Sequence, residues 1–347
     1  MTINVVVATY HAVVLGCDSL SSVVERAYFP FRQRSVPARD HAGNVMRDSE
    51  GNLVVPLRSD QLVSAATNIM GGVQKMFLLH ESRDPDNVEC SVAAVTSGLA
   101  TLNGVVIAEL GQRFRRRCGS GQKVFLTAEA VAREFLAFLR PQWETEVGLT
   151  EANLEPQACS EDLEFLVAGY GADDSYIKVF RLSVAHASVV EAFPNSSHCS
   201  AAWAGQSETV ASLINGQSST TIRQISEWVD DAVTSDRSSF AQSILERLQE
   251  LGIALPDPFE VQARERLSPA PPWNEGGPAI DWANLPVQSA VDLVSTLVNV
   301  ESGMQRFSMG IPGVGGRTRI GILRRGEPFR ALNEPEILHN HIGYAHD

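Results

Sequence analysis

The stretch that decides the fold lies at the N-terminus, where residues 1–18 read MTINVVVATYHAVVLGCD. Aliphatic and β-branched residues predominate at positions 3–8 and 12–16, and a short polar break separates the two runs. Two such runs around a short break are typical of a β-hairpin. Because a hairpin returns the chain to its starting point, Asp18 is expected to lie beside Thr2, sixteen residues earlier.

Thr2 is a candidate nucleophile if Met1 is removed, for which a small second residue is the usual signal. A threonine hydroxyl needs a base to take its proton, and the free amine of an N-terminal threonine can be that base. Such an amine titrates at about 7.7–8.0, near working pH, and a neighbouring cation lowers its pKa further. The alternative for Thr2 is an ordinary strand residue.

Lys75 and Gly98 complete the candidate site. Lys75 lies in the apolar run 73–77, a predicted strand, where an unpaired cation is costly, and Asp18 is its natural partner. Gly98 ends the next predicted strand, where its N–H could hold an oxyanion. Taken singly, Asp18 could be a turn residue and Lys75 could extend from an edge strand into solvent.

These residues and their spacing resemble proteasome β-subunits and the related bacterial ATP-dependent threonine peptidase, both N-terminal-nucleophile hydrolases. Residues 164–170 (EFLVAGY) are similar to that family's central strand, and residues 314–320 (VGGRTRI) to its last turn and strand. Residues 201–207 (AAWAGQS) look like a further family turn. The family's first supporting serine then falls on Ser207, with Ala204 as an alternative alignment, and no aspartate occurs where the second supporting residue is expected.

The resemblance implies an α+β fold, a four-layer αββα sandwich of two antiparallel sheets between helix layers. It implies one domain over residues 1–347, with insertions at about 19–70, 119–161 and 218–286. It also implies amide-bond hydrolysis at Thr2, with Asp18, Lys75, Gly98 and Ser207 as the other site residues and no metal or organic cofactor. The expected partners are a peptide or small amide substrate and further copies of the chain. Members of the family assemble into rings, so the resemblance implies a homo-oligomer that could form a ring. Whether an ATPase partner exists is left open.

Composition limits the other function classes. The chain has 28 Lys plus Arg against 41 Asp plus Glu, a net charge of −13, which disfavours binding to nucleic acid. The first apolar segment is too short and interrupted to span a bilayer, and five scattered cysteines fit a reducing cytosol, so a cytoplasmic protein is expected. Two alternatives stay open: a catalytically silent assembly or binding protein, and an amidase for a small non-peptide amide.

Hydrophobic periodicity predicts the remaining elements. Strands are expected at 73–79, 90–96, 163–169, 176–182, 185–193 and 318–323. Helices are expected at 101–117, 127–139 with Thr127 as N-cap, 205–216, 221–233, 240–251 and 287–300. A proline-rich linker is expected at 255–286.

Overall fold

A computed structural model describes residues 2–27, 38–40, 43–54, 63–84, 87–121, 123–147, 163–193, 198–252, 278–307 and 313–332. Parts of each predicted insertion and most of the predicted linker lie outside these ranges. The chain divides into two compact units, Met1–Gln206 with Asp281–Asp347, and Ser207–Ile280. A single domain over the whole chain therefore stays a prediction.

The first sheet is built on the N-terminal hairpin. Strands β1 (Ile3–Ala8) and β2 (Val13–Cys17) pair antiparallel, with Asn4 opposite Cys17, which confirms the predicted hairpin. The sheet has the order β12-β1-β2-β13-β14, with β12 at Ser200–Gly205, β13 at Arg319–Leu323 and β14 at Arg330–Ala331. Every residue of β1 and β2 is buried, so this hairpin is covered on both faces.

The second sheet has the order β11-β10-β9-β6-β5 and is also antiparallel throughout. Its strands are β5 (Met76–Asp84), β6 (Asn87–Gly98), β9 (Leu163–Tyr170), β10 (Lys178–Ser183) and β11 (Ser188–Glu191). A separate pair consists of β3 (Ser21–Ala27) and β4 (Val63–Met70), at the two ends of the 19–70 segment.

Helices cover the outer faces of the two sheets. In the first unit, α1 (Ile107–Ser120) and α2 (Ala128–Glu146) pack on the second sheet, and α5 (Val287–Gln305) packs on β1 and β2. Alternation along the strands supplies two cores: Val6, Leu15 and Val95 lie in the core between the sheets, while Phe77 and Phe165 lie in the core under α1 and α2. The predicted four-layer αββα sandwich of two antiparallel sheets is confirmed.

Two boundary predictions around the site were wrong. Lys75 lies immediately before β5 and not inside a strand, since β5 begins at Met76. Residues 101–106 form a small hairpin, β7 (Thr101–Leu102) with β8 (Val105–Val106), and α1 begins only at Ile107. Asn103 and Gly104 have φ values of 49° and 74°, which is the turn conformation that an Asn-Gly pair favours.

The second unit contains α3 (Glu208–Asn215) and α4 (Ser219–Glu250). The sequence predicts two helices over 221–251, but α4 is one continuous helix of 32 residues. The polar residues between Val233 and Phe240 interrupt the apolar pattern and therefore predict a break between two helices. They include neither glycine nor proline, the residues that most disfavour a helix, and the helix continues through them.

Candidate active site

The structure places Asp18 and Lys75 in direct contact. The Lys75 Nζ atom is 2.8 Å from Asp18 Oδ1, and the two side chains are 4% and 1% exposed. Burial of the ammonium group lowers the pKa of Lys75, and the Asp18 carboxylate opposes that shift. The predicted ion pair is therefore present, and both of its side chains are almost fully buried.

The Asp18 carboxylate has a hydrogen-bond partner for each lone-pair direction that its two oxygens present. Oδ1 accepts from Lys75 and from the Ile3 N–H at 3.1 Å. Oδ2 accepts from the Leu20 N–H at 3.2 Å and the Gly315 N–H at 3.1 Å. A buried carboxylate is tolerated only when it is satisfied in this way, so its position is determined by three backbone segments.

Lys75 is held equally firmly. Its Nζ also donates to the Leu20 carbonyl oxygen, and its own carbonyl accepts from the Thr96 N–H at 3.0 Å. The first contact connects the ammonium group to the turn after Asp18, and the second connects the backbone of residue 75 to β6. The ammonium group therefore has a defined position although it lies outside a strand.

Thr2 is joined to this cluster through the backbone. It is 5% exposed, its carbonyl accepts from the Gln206 N–H at 2.7 Å, and Ile3, the next residue, bonds to both the main chain and the carboxylate of Asp18. Because β1 and β2 are in register, the end of β2 delivers Asp18 to the start of β1.

One small cavity connects the predicted residues. Thr2, Lys75 and Gly98 all line it, together with Ser21 and the neighbouring hydroxyl residues Thr96 and Ser97. Its volume is about 20 Å³, enough for one water molecule. Gly98 has φ +97°, a conformation that side-chain-bearing residues rarely adopt, so a glycine is required at this end of β6.

Ser207 lies in the second unit, where it precedes α3. Its predicted contribution to the site stays a prediction. Sequence reasoning missed the Leu20 carbonyl, Thr96 and Ser97, because backbone acceptors and common hydroxyl residues have no distinctive pattern. Gly315 belongs to the glycine-rich segment that resembles a family turn, and that resemblance is the one sequence signal for its N–H.

The fold and site together define an α+β sandwich of two antiparallel sheets, with a buried threonine–aspartate–lysine cluster where the interior strands β1 and β2 begin and end. In this cluster a buried hydroxyl-bearing residue lines the same cavity as one member of a buried charge pair. No metal-binding group of three or more His, Cys, Asp or Glu side chains occurs in the described part of the chain. None of the helices in the described ranges has the length and hydropathy needed to cross a bilayer.

The chain is distantly similar to solved structures. No protein-family model matches the chain, and no curated protein matches its sequence. It is similar to the solved structure of an Anbu (Gly-1) mutant from Hyphomicrobium sp. strain MC1, with 10% identity, a TM-score of 0.45, and coverage of 96% of this chain and 87% of that chain. Anbu (ancestral beta-subunit) from Yersinia bercovieri has 10% identity, a TM-score of 0.44, and coverage of 96% and 88%. Similarity this distant identifies neither a family nor an activity.

Proposed function

We propose that this protein is an N-terminal-threonine amidohydrolase of the proteasome-like type, with Thr2 as nucleophile and base after removal of Met1. One observation supports this most directly: the buried Lys75–Asp18 pair, 2.8 Å apart, is bonded to the backbone next to Thr2. A buried ion pair is expensive to maintain and often contributes less to stability than apolar packing would. Lys75 lines the same cavity as Thr2, which supports a catalytic role for the pair.

Each residue then has a defined role in the reaction. The free Thr2 amine takes the proton from the Thr2 hydroxyl, and the oxygen attacks the amide carbonyl. The Lys75 ammonium group, held charged by Asp18, lowers the pKa of that amine and stabilises the alkoxide. The N–H of Gly98 binds the developing oxyanion. Loss of one such donor typically lowers kcat by about 10²–10³-fold. The protonated Thr2 amine then gives its proton to the substrate nitrogen, the carbon–nitrogen bond of the substrate breaks, and the substrate's amine leaves. Water hydrolyses the resulting threonine ester and regenerates the Thr2 hydroxyl.

The size of the cavity favours a small amide as the first substrate class to test. In the chain that still carries Met1, a volume of about 20 Å³ beside a threonine that is 5% exposed has no room for a peptide side chain. A peptide would have to be accommodated by removal of Met1 or by movement of the segments around Ser21 and Val73, which line the cavity. We therefore propose amide hydrolysis as the chemistry, with a small non-peptide amide as the first substrate class to test and a peptide as the second. The family resemblance further implies a homo-oligomer, which sedimentation velocity would test.

The test is the intact mass of the protein purified from its own host, followed by incubation with an epoxyketone that traps N-terminal threonine. We expect a mass lacking one methionine and one adduct per chain. The adduct should disappear in Thr2→Ala and persist in Thr296→Ala, an exposed threonine on α5. Retention of Met1 with no adduct would overturn the enzyme proposal and leave a proteasome-like binding or assembly protein.

A further inference from the structure

A groove of about 660 Å³ adjoins the Lys75 segment, and Gln74 lines both this groove and the Thr2 cavity. Its walls come from α1, from the start of β5, and from β13 and β14, so the edges of both sheets meet there. The volume is in the range of small-molecule sites, about 300–1,000 Å³. The groove is thus far larger than the candidate active-site cavity.

Three arginines line this groove in a chain whose net charge is −13: Arg115, Arg116 and Arg319. Arg116 forms an ion pair with Glu109 at 2.8 Å. Within the described ranges, no carboxylate forms an ion pair with Arg115 or Arg319. Two guanidinium groups therefore face the groove with their charge uncompensated by those residues.

Arg319 has hydrogen-bonding capacity left over. Its Nη2 donates to the Gly72 carbonyl at 3.2 Å, while its Nε is out of contact with solvent and has no partner among the described residues. A guanidinium group presents five N–H donors in a planar fork that matches carboxylate and phosphate oxygens. Gln74 and Gln112 add two amide groups to the same lining.

The remaining lining is apolar. Leu78 and Phe329 are partly exposed there, and Met76, Phe77 and Ile320 are buried beneath. Apolar walls with a few convergent polar groups are typical of sites that bind small organic molecules. A purely inorganic anion would leave this apolar surface uncovered.

We propose that the groove is a binding site for a small organic anion, whose carboxylate or phosphate group binds Arg115 and Arg319 and whose apolar body packs on Leu78 and Phe329. Bound there, the ligand contacts the segment that carries Lys75. Gln74 lines both this groove and the Thr2 cavity, and Arg319 bonds to Gly72, three residues before Lys75. This site does not depend on the proposed catalytic function.

The experiment is isothermal titration calorimetry of the full chain with four probes: 4-phenylbutyrate, phenyl phosphate, acetate and inorganic phosphate. We expect saturable binding of at least one aromatic anion, at least tenfold tighter than its small counterpart. The better of the two aromatic probes identifies the preferred head group. Arg115→Gln and Arg319→Gln should each weaken binding at least tenfold.

Arg113→Gln is the matched control, because it removes the same charge from the same helix at a residue that pairs with Glu109 and does not line the groove. It should leave the affinity unchanged. Equal weakening by Arg113→Gln and Arg115→Gln would show general charge attraction and overturn the site, as would the absence of saturable binding by both aromatic anions. Arg115 is exposed, so its variant tests the proposal even if Arg319→Gln unfolds. Slower amide exchange of residues 72–78 in the saturated protein is the expected sign of contact with the Lys75 segment.

Discussion

Gly205 lies so close to Thr2 that a Cβ atom added to it would be 2.1 Å from the Thr2 carbonyl oxygen. The φ angle of Gly205 is +79°, and the next residue, Gln206, donates its N–H to the same carbonyl at 2.7 Å. The end of β12 therefore determines where the backbone of Thr2 lies. A side chain at position 205 would push against main chain, which has less freedom to yield than a flexible side chain.

Replacing Gly205 by alanine should destabilise the protein by more than positive φ alone explains. That conformation costs a non-glycine residue about 1–2 kcal/mol, and the contact with Thr2 adds to it. Gly104→Ala is the matched control, since Gly104 has φ +74° and a Cβ atom added there would have nothing within 4 Å. Urea unfolding of both variants measures the difference, and equal losses would show that the approach to Thr2 is easily relieved.

Lys75→Met should cost about 3–5 kcal/mol of folding free energy, because it leaves the Asp18 carboxylate buried without its cation. The double variant Asp18→Asn, Lys75→Met should lose less than the sum of the two single variants, since it removes both charges. Denaturant unfolding of the wild type, the two single variants and the double variant forms a double-mutant cycle that measures the interaction between the two side chains.

An exposed ion pair provides the comparison for that cycle. Arg133 and Glu129 are 2.7 Å apart on α2, with side chains 62% and 42% exposed. Arg133→Met should change stability by less than about 1 kcal/mol, because water screens such a pair. A loss for Lys75→Met as small as this would mean that Asp18 is not effectively buried.

The sequence predicts the part of the site that local geometry determines. Asp18 follows from the hairpin, because the pairing of Asn4 with Cys17 carries it back to the start of β1. Lys75 could be predicted as its partner because buried charges need compensation. That Lys75 precedes β5 could not, since the apolar residues on both sides of it are typical of one continuous strand.

Other features of the structure could not be predicted from neighbouring residues in the sequence. The Gly315 N–H that bonds to Asp18 is 297 residues away along the chain, and its position depends on how β13 packs beside β2. The Asn103–Gly104 pair is typical of a β-hairpin turn, but Leu102, Val105 and Val106 also fit a helical period, so the sequence is compatible with both structures. Two adjacent residues in each short strand give too little alternation to decide.

Gly16 allows α5 to pack closely on the first sheet. A Cβ atom at Gly16 would be 2.2 Å from Val294 Cγ1, and valine has little χ1 freedom to move away. Gly16→Ala should therefore cost about 1–3 kcal/mol. The double variant Gly16→Ala, Val294→Ala should be more stable than the sum of the single losses predicts, because the added methyl group occupies the space that Val294 vacates.

Thermal or urea unfolding measures this coupling. Gly303→Ala on the same helix, where nothing lies within 4 Å, serves as the control and should not destabilise the protein. Additive losses in the double variant would contradict the close contact between β2 and α5.

The lowered pKa of Lys75 predicts how stability changes with pH. Burial favours the neutral amine in the folded state, so between the lowered folded pKa and the ordinary value of 10.5 the unfolded chain binds more protons. Stability then rises with pH across that window. The contribution of Lys75 to stability is complete above 10.5 and is lost as the pH falls through the folded pKa.

Cys17 has the opposite effect on stability in this pH range. Burial raises the pKa of its thiol to about 12, so stability falls as the unfolded thiol ionises above 9.0. The measurement is therefore made in a Cys17→Ala background. The unfolding free energy with Lys75 should rise from pH 7 to 10.5 relative to the same protein carrying Lys75→Met, and a constant or falling difference would contradict the burial of the charged amine.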